Sequence, residues 1–473
     1  MREAERQARA RAREERARAR EEAERREAEA AAAAARGEPP PPPPPRPPRP
    51  GLLSALAARR QRKGPPRGRP RQAAARPPGG RPPAEVYAIR RRRAVALVIL
   101  AVLVVAGFVV LSGGSGAGQL TKREALIAER AENPVKLTLS FSGDLLIHSP
   151  LWNQALANGG GSSYDFRPML EPIRPYVARA DLAFCHIETP LGRGEPQTEP
   201  LFRAPAELAD AVAAIGWDAC DTASNHTLDQ HFEGIEETID VLDAAGVEHT
   251  GSFATEAASE QPLVLEAKGA KVGFVAYTDY TNDIPPEEPF SINFAEDPSD
   301  VEEIIADARA ARKAGAEAVI VQMAWGPENG TEPDADQEQM AQELTASKYV
   351  TAVVGNGPHV VQPIERVNDK FVVYSEGNLL SNQDANCCPP GAQDGFIAEL
   401  SLVIDGSGSR VDAVRYVPIW VDHSDYSVLP VGDALRDGRG DPAALQESYD
   451  RTTSIVGSEP GVAPEPASTA QAQ

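Results

Sequence analysis

Cysteine is scarce in this chain of 473 residues, which holds four of them: Cys185, Cys220, Cys387 and Cys388. Four cysteines in a chain of this length do not make the disulfide framework of a small secreted domain, and no Cys-x-x-Cys pair indicates a zinc knuckle. The adjacent pair, Cys387 and Cys388, is poorly placed to bridge to itself. The sequence therefore predicts packed or loop thiols.

Positive charge is scarce in the main body of the chain. Residues 94–473 contain 22 Lys and Arg against 58 Asp and Glu, whereas residues 1–93 contain 26 against 11. A surface as acidic as that of the main body repels phosphate backbones. Nucleic acid is therefore excluded as a partner of this body.

Residues 1–93 lack an apolar stripe on which a core could form. Residues 1–36 are almost wholly Ala, Arg and Glu, which favours a solvated helix but offers no aliphatic seam for a coiled coil. Residues 39–45 are all proline and predict a stiff polyproline II spacer, and residues 59–93 hold too little apolar surface to fold. This segment is predicted to be a tail that either sets topology or binds an adaptor or lipid headgroups.

Residues 94–111 carry no charged or strongly polar side chain. A helix of this length spans about 27 Å, which is long enough for a hydrocarbon core. Four arginines at 90–93 precede it, so the positive-inside rule places residues 1–93 in the cytoplasm and residues 112–473 outside. A cleaved signal peptide is disfavoured by the long segment before it, and a buried core helix by its uniformly aliphatic composition. The sequence predicts a single-pass, uncleaved anchor in the cell membrane.

Strand and helix patterns alternate from residue 135 to residue 430, after a predicted linker at 112–134. The predicted strands are 135–142, 181–187, 217–223, 271–278, 318–324, 350–355, 370–375, 395–404 and 410–421. The predicted helices are 206–215, 232–245, 301–314 and 336–348. This alternation favours α/β layers around one core, with a mixed sheet. Residues 431–473 are predicted to be a C-terminal extension that is disordered from about residue 457.

Polar side chains stand where five of the predicted strands end, which is where an α/β fold places its functional site. They are Asp144 and His148, His186 and Glu188, Asn225 and His226, Trp325 and Glu328, and Asn356 and His359. Taken singly, each is also typical of a helix cap or a turn. As a set, the oxygen and imidazole donors indicate a divalent-metal hydrolase site for Mn, Fe, Zn or Mg.

The order of these motifs resembles that of the CapA family, the poly-γ-glutamate capsule-biosynthesis proteins of the calcineurin-like metallophosphoesterase superfamily. The resemblance runs from about residue 135 to residue 383. Its pieces are FSGDLL at 141–146, HIETPL at 186–191, FRAP at 202–205, SNHTLD at 224–229, LDAAG at 242–246, PHVVQPIE at 358–365 and YSEGNLLSN at 374–382.

The resemblance implies an α/β fold, a four-layer α/β/β/α metallophosphoesterase-like sandwich over residues 135–430. It implies metal ligands at Asp144, Glu188, Asn225 and His359. It also implies that Asn225 and His226 lie near the scissile group as catalytic residues.

The chain departs from the family pattern at three positions. Ala324 stands where the family has a histidine before Trp-Gly-x-Glu, and Gly357 stands where it has the first histidine of His-Pro-His. Both missing imidazoles belong to the same metal in that pattern, and Leu146 replaces the histidine of an opening Asp-x-His. The sequence therefore predicts at most one tightly bound divalent ion.

Three further residues are predicted as accessories of this site: His148, His186 and Arg203. Either histidine would complete the shell of the remaining ion, or is an ordinary packed or loop histidine. The acidic body repels an anionic polymer at long range, but a divalent cation or Arg203 would reverse that repulsion locally.

The sequence is compatible with three functions. The first is a membrane-anchored protein that synthesises, exports or anchors poly-γ-glutamate or another capsule or envelope polymer, together with other membrane polymer-synthesis proteins. The second is a catalytically inactive binding or scaffold module of the same fold, which the losses at Ala324 and Gly357 favour. The third is an external metal-dependent phosphoesterase, which would need a two-metal clamp. Whether the chain is an enzyme is left open by the sequence.

Overall fold

Short β-branched runs and amphipathic helices in this chain build two sheets that pack face to face. The computed structural model describes residues 122–466. The predicted tail at 1–93 and the predicted span at 94–111 lie outside the described residues. Within 122–466, no helix has the length and apolar composition needed to cross a membrane.

The strands are numbered in chain order. They are β1 (Val135–Leu145), β2 (Leu182–Ile187), β3 (Leu191–Gly192), β4 (Ala204–Pro205), β5 (Ala219–Asp221), β6 (Glu248–Thr250), β7 (Leu263–Ala267), β8 (Ala270–Thr278), β9 (Ala318–Ala324), β10 (Ala352–Asn356), β11 (Ile364–Val367), β12 (Lys370–Val373), β13 (Asn378–Leu380), β14 (Asp394–Asp405), β15 (Gly408–Asp422), β16 (Ser427–Pro430) and β17 (Val462–Pro464).

The helices follow the same numbering. They are α1 (Lys122–Glu132), α2 (Ser149–Asn158), α3 (Arg167–Leu170), α4 (Arg174–Val177), α5 (Glu207–Ile215), α6 (His231–Ala245), α7 (Glu256–Ser259), α8 (Val301–Lys313), α9 (Ala335–Ala346), α10 (Val431–Asp437) and α11 (Pro442–Val456), with short 3-10 turns at Glu171–Ile173 and Pro298–Asp300.

The two large sheets are mixed, as predicted. The first has the order β16-β15-β14-β1-β2-β5-β6, with β13 added beside β1 and β17 beside β15. The second has the order β11-β12-β10-β9-β8-β7, and β3 pairs with β4 separately. Strands β1, β2, β5 and β6 run parallel, as do β8, β9, β10 and β12, and antiparallel strands flank both groups. Parallel strands end at one edge of each sheet, so their polar ends are brought together.

The layers follow from three buried apolar clusters. One lies between the sheets, where the rings of Phe141 and Phe184 stack with centroids 5.1 Å apart. A second joins α5 to the outer face of the first sheet, for example through Leu208. A third joins α8 and α9 to the outer face of the second sheet through Ile304 and Leu344. The described residues therefore form the α/β/β/α sandwich that the resemblance implies. The strand pattern alone predicted one core, whereas the strands are divided between two sheets.

The ends of the folded body differ from the sequence prediction. Residues 122–132 of the predicted linker form helix α1, whose Arg130 makes an ion pair with Glu317 at 2.8 Å. Residues 462–464 of the predicted disordered tail form β17, which pairs in parallel with β15. Proline and alanine near the C-terminus suggested disorder, but an added edge strand needs only a few backbone hydrogen bonds. Residues 467–473 lie outside the described part of the chain.

The cysteines also differ from the prediction. Cys185 and Cys220 are in register on the adjacent strands β2 and β5, with their Cα atoms 4.5 Å apart, and they form a disulfide. Cys387 and Cys388 form a second disulfide between neighbouring residues. The prediction of thiols was wrong because the pairing of Cys185 with Cys220 depends on strand neighbours that are 35 residues apart in sequence.

Candidate metal centre

The candidate metal centre lies where strands from both sheets end. Asp144 is near the end of β1, Glu188 directly follows β2, and His359 follows β10. One ligand atom from each residue lies within 4.8 Å of the other two, and all three side chains are buried. The N–H of Gly357 donates to Asp144 Oδ1 at 3.2 Å, so the second sheet helps to fix a carboxylate of the first. Three of the four predicted ligands therefore come together.

Asp144 is positioned by a close approach of two backbone segments. A β-carbon on Gly143 would lie 1.8 Å from the carbonyl oxygen of Gly377, so only glycine fits there. The N–H of Asp144 donates to the same carbonyl at 3.1 Å, and the pairing of β1 with β2 shifts between Ser142 and Asp144. The Ser-Gly-Asp sequence thus breaks the regular strand and presents the Asp144 carboxylate to the second sheet.

His359 contacts both carboxylates. Its Nδ1 lies 3.1 Å from Asp144 Oδ2, and its Nε2 lies 3.5 Å from Glu188 Oε1. Neither oxygen of Glu188 accepts a hydrogen bond within residues 122–466, although the residue is only 1% exposed. Burial strips a carboxylate of its hydration, so such a group either takes up a proton or is stabilised by a cation beside it. The donor set of Asp144, Glu188 and His359 therefore fits a divalent ion.

The pKa values show how strongly this cluster favours positive charge. Burial raises the pKa of Glu188, and His359 partly opposes this effect. For His359, burial lowers the pKa, but Glu188 and Asp144 outweigh burial and raise the pKa to about 10. A proton on His359 therefore compensates the carboxylates, and a divalent ion would take the place of that proton.

A second buried pair, His186 and Asp221, adjoins Asp144. His186 Nδ1 lies 2.7 Å from Asp221 Oδ2, and His186 Nε2 lies 3.8 Å from Asp144 Oδ1. Burial lowers the pKa of His186, but Asp221 and Asp144 outweigh burial and raise it to about 9. The predicted accessory histidine at 186 is therefore part of the charged cluster.

The other predicted accessory histidine, His148, has contacts outside the three-residue cluster. Its Nδ1 lies 3.1 Å from the main-chain oxygen of Leu146, and its Nε2 lies 3.4 Å from Glu199 Oε1. Its ring also packs edge-on against Phe202, with centroids 5.4 Å apart. Leu146, the residue two positions after Asp144, is buried and offers an apolar side chain only.

The predicted catalytic residues, Asn225 and His226, lie in the loop after β5 and are partly exposed. His226 Nδ1 lies 2.7 Å from Asp229 Oδ2. Burial lowers the pKa of His226, but Asp229 and Glu188 outweigh burial and raise it above the ordinary value. The Asn225 amide nitrogen donates to Asn282 Oδ1 at 3.4 Å. His226 is therefore close enough to respond to Glu188, on the solvent side of the cluster.

Arg203 lies beside this loop. Its guanidinium donates to Gln230 Oε1 at 2.6 Å, while its Nε is buried and bonds to no residue in the described range. The neighbouring Phe202 packs edge-on against His226, with ring centroids 4.7 Å apart. Arg203 is therefore held next to Gln230, four residues after His226 in the chain.

The positions that depart from the family pattern are neighbours in the structure. Ala324 of β9 pairs with Asn356 of β10, and Gly357 follows directly. Gly357 has a positive φ of 105°, and a β-carbon there would lie 3.1 Å from Trp325 N. Asn356 is fully buried, and its side-chain amide finds no hydrogen-bond partner between residues 122 and 466. An amide thus lies beside the two positions at which the family pattern has imidazoles.

Sequence reasoning missed two buried carboxylates, Asp221 and Glu376. Burial raises the pKa of Glu376 well above its ordinary value. A hydrogen bond from the N–H of Ala398 lowers this pKa in part, and the nearby Asp144 and Asp221 raise it further. Asp221 comes three residues before Ser224-Asn225-His226, and Glu376 lies inside the YSEGNLLSN motif. An acidic residue at the end of a buried strand was the available signal in the first case.

Comparison with known proteins adds the following. The family model described as "Bacterial capsule synthesis protein PGA_cap" matches residues 138–383, which include the whole candidate metal centre. "Capsule biosynthesis protein CapA" of Bacillus anthracis is 24% identical over 271 residues, 55% of this chain and 64% of that protein. "PGA biosynthesis protein CapA" of Bacillus subtilis is 23% identical over 252 residues, 52% of this chain and 64% of that protein. The chain thus matches just under two thirds of the length of these two relatives.

Among solved structures, a calcineurin-like phosphoesterase from Bacillus subtilis matches 67% of this chain and 97% of its own, with 13% identity and a TM-score of 0.37. A phosphatase from Mycoplasma pneumoniae matches 67% of this chain and 99% of its own, with 14% identity and a TM-score of 0.36.

Proposed function

The chain belongs to the bacterial capsule synthesis protein PGA_cap family, which confirms the resemblance seen in its sequence, and from this premise we propose that it acts in making, exporting or anchoring a capsule polymer. The polymer is poly-γ-glutamate or another anionic polymer of the cell envelope. The protein does so from the outer side of the membrane, through a site that holds one divalent ion.

The observation that carries this proposal is the buried carboxylate of Glu188, which accepts no hydrogen bond among residues 122–466 and lies between Asp144 and His359. These three residues would hold the ion, which is Mn, Zn, Fe or Mg by the chemistry of its donors. When bound, such an ion supplies a Lewis acid for a carbonyl or phosphoryl oxygen and lowers the pKa of a bound water. His226, oriented by Asp229, stands on the exposed side, where it can hold or move a proton at Nε2.

The number of ions follows from Ala324 and Gly357. Without imidazoles at these positions, a second ion would keep only Glu188 and the side-chain oxygen of Asn225 as protein contacts. Two contacts are too few for a tight site. We therefore propose at most one tightly bound ion for each chain.

Location and partner are part of the same proposal. The span at 94–111 anchors the chain, with residues 1–93 in the cytoplasm and other membrane polymer-synthesis proteins as partners. The Cys185–Cys220 disulfide supports an external body, because disulfides persist in oxidising compartments. The ion and Arg203 supply the local positive charge that an anionic polymer requires at the rim of an acidic body.

Deletion of the gene in the source organism tests the function. Surface polymer would be measured by acid hydrolysis and quantification of its glutamate and other monomers. We expect a loss of polymer that is restored by the unmodified gene and by Glu343→Gln, an exposed control on helix α9, but not by Glu188→Gln. Unchanged polymer in the deletion strain would contradict a role in capsule formation.

A second candidate is a binding or scaffold module without catalysis, which the amide-lined side of the site at Asn356 supports. In this case Glu188→Gln restores the polymer as fully as Glu343→Gln does. The third candidate, an external phosphoesterase, requires metal-dependent turnover of a chromogenic phosphodiester by the purified full-length chain. Two ions per chain together with such turnover would replace the one-ion proposal.

A further inference from the structure

The inner face of the first sheet carries a row of three polar side chains at its functional edge. The register pairs Asp144 of β1 with His186 of β2, and His186 with Asp221 of β5. Apolar residues occupy this inner face on both strands before the row begins, namely Phe141 and Phe184. The row therefore starts where the apolar layer between the sheets ends, beside the candidate metal centre.

His186 is held in one orientation by Asp221. Its Nδ1 lies 2.7 Å from Asp221 Oδ2 at 0% exposure, so Nδ1 carries the proton and donates to the carboxylate. When an ion displaces the proton from Nε2, the lone pair on that nitrogen becomes available. A carboxylate that fixes the tautomer and direction of an imidazole in this way is the usual support of a metal-bound histidine.

The other ring nitrogen of His186 is Nε2, which faces Asp144. Nε2 is buried and makes no hydrogen bond to any residue between 122 and 466. Its distance of 3.8 Å from Asp144 Oδ1 is too long for a hydrogen bond. Two ligand atoms that are each about 2.1 Å from a tetrahedral ion are themselves about 3.4 Å apart, so this distance is close to that of two ligands of one ion. His186 lies outside the group of Asp144, Glu188 and His359 whose ligand atoms are all within 4.8 Å of one another, so binding of the same ion requires the His186 ring to move toward that group.

We infer that His186 Nε2 is the fourth protein ligand of the divalent ion, with Asp221 as the residue that positions it. This inference rests on the proposed one-ion site and adds to it a ligand from the strand that precedes Glu188. It also assigns different roles to the two accessory histidines: His186 binds the ion, and His148 is a packed residue at the rim of the site.

The first test counts imidazoles. X-ray absorption of the purified full-length chain loaded with one equivalent of Zn²⁺ reports the number of histidine ligands directly. We expect two imidazoles in the unmodified protein and one in His186→Gln. One imidazole in the unmodified protein overturns the inference. This measurement does not depend on whether any variant folds.

The second test measures affinity by titration of Zn²⁺ against a competing chelator. His186→Gln is expected to weaken binding by about 10- to 100-fold, and Asp221→Asn by up to about 10-fold, because the ring loses its support. His249→Gln, a histidine on β6 whose Nε2 lies 3.2 Å from Asp243 Oδ1, is the neutral control. Thermal unfolding without metal verifies that each variant is folded.

The outcomes separate this inference from the proposed site. If the unmodified chain binds no ion, the one-ion site itself is wrong. If it binds one ion that is lost in His359→Ala but unchanged in His186→Gln, only the fourth ligand is wrong. Weaker binding in His148→Gln and not in His186→Gln also overturns the inference, since the roles of the two histidines are then reversed.

Discussion

Two glycine-dependent positions control what the candidate metal centre can bind. Gly143 admits the carbonyl of Gly377 at a distance that no β-carbon allows, and this contact aims Asp144 at the second sheet. Gly357 allows a left-handed turn before His359, which itself has a φ of 60°. The first glycine therefore builds one side of the centre, and the second replaces an imidazole on the other side.

A first prediction concerns restoration of the missing imidazoles. Ala324→His and Gly357→His together are expected to raise Mn²⁺ occupancy from one toward two ions for each chain, and each change alone is expected to do less, because one new ligand is not enough for a site. Gly357→His should also lower the free energy of unfolding by about 1–2 kcal/mol, since a side chain at positive φ is strained. Metal analysis and denaturant unfolding measure the two effects.

Gly357→Ala is the matched control for this prediction. It introduces the same backbone strain without an imidazole, so stability should fall while occupancy stays at one ion. A second ion in Gly357→Ala, or two ions in the unmodified chain, would show that Asn356, Gln322 or Glu328 already supplies the ligands that the family pattern has at positions 324 and 357.

The sequence was sufficient to place Asp144, Glu188 and His359 near the ends of strands, and the structure brings their side chains together. Their role as metal ligands stays a prediction. The sequence could not separate His186 from His148, since both stand near a strand end and only the register with Asp221 distinguishes them. Glu376 escaped detection for a similar reason. Its burial depends on contacts with β14, as the hydrogen bond from Ala398 shows.

At the scale of elements, long periodic segments were predicted to within about two residues at each end, for example β9 (Ala318–Ala324) and α6 (His231–Ala245). Short strands such as β13 and β17 were missed because three residues carry no periodicity and gain their structure from a partner strand. The two-sheet division came from the family resemblance and not from the pattern. Strand alternation does not show which strands pair.

The turn after β9 is held by Asp279, which follows β8. Asp279 Oδ2 accepts a hydrogen bond from Gly326 N at 2.7 Å, and its own N–H donates to Ala324 O at 3.0 Å. Burial raises the pKa of Asp279 to about 7, the bond from Gly326 lowers it in part, and Asp334 raises it further. The charge state of one carboxyl therefore affects the turn that carries Ala324.

The second prediction is a pH dependence of stability that Asp279 causes. The pKa of Asp279 in the folded state lies above its unfolded value of about 3.9, so the folded state binds more protons at this group. The contribution of Asp279 to the free energy of unfolding therefore falls as pH rises from about 4 to about 7. Asp279→Asn should keep the bond from Gly326 and remove this fall. We expect the variant to be more stable than the unmodified chain by on the order of 2–4 kcal/mol at pH 8, and by little at pH 4.

Denaturant unfolding at pH values between 4 and 8 measures this difference. Asp240→Asn, an exposed position on α6, makes the same change in charge and should shift stability equally little at every pH. Parallel pH profiles for the unmodified chain and Asp279→Asn would contradict the prediction, because the carboxyl would then titrate alike in the folded and unfolded states.

At the scale of the whole molecule, charge is separated along the chain. The basic residues 1–93 precede the apolar run at 94–111, and the acidic remainder follows it. An acidic body with paired cysteines suits an oxidising exterior, and a basic tail suits the cytoplasmic face of a membrane with anionic lipids. This separation supports the proposal that the two parts of the chain work on opposite sides of one membrane.

The third prediction is this topology. A reporter that is active only after export should be inactive when fused at residue 85 and active when fused after residue 473, a position that leaves strand β17 at Val462–Pro464 intact. Replacing the four arginines at 90–93 by glutamine should reduce activity of the C-terminal fusion, because the charge that sets orientation lies within a few residues of the span. Replacing the arginines at 11, 13, 16 and 18 removes the same charge far from the span and should leave the activity of the C-terminal fusion unchanged.

Mass spectrometry of unreduced peptides should find Cys185 linked to Cys220 in the exported body. Reporter activity at residue 85 alone, with both cysteines reduced, would place the body in the cytoplasm and refute an external site for the polymer.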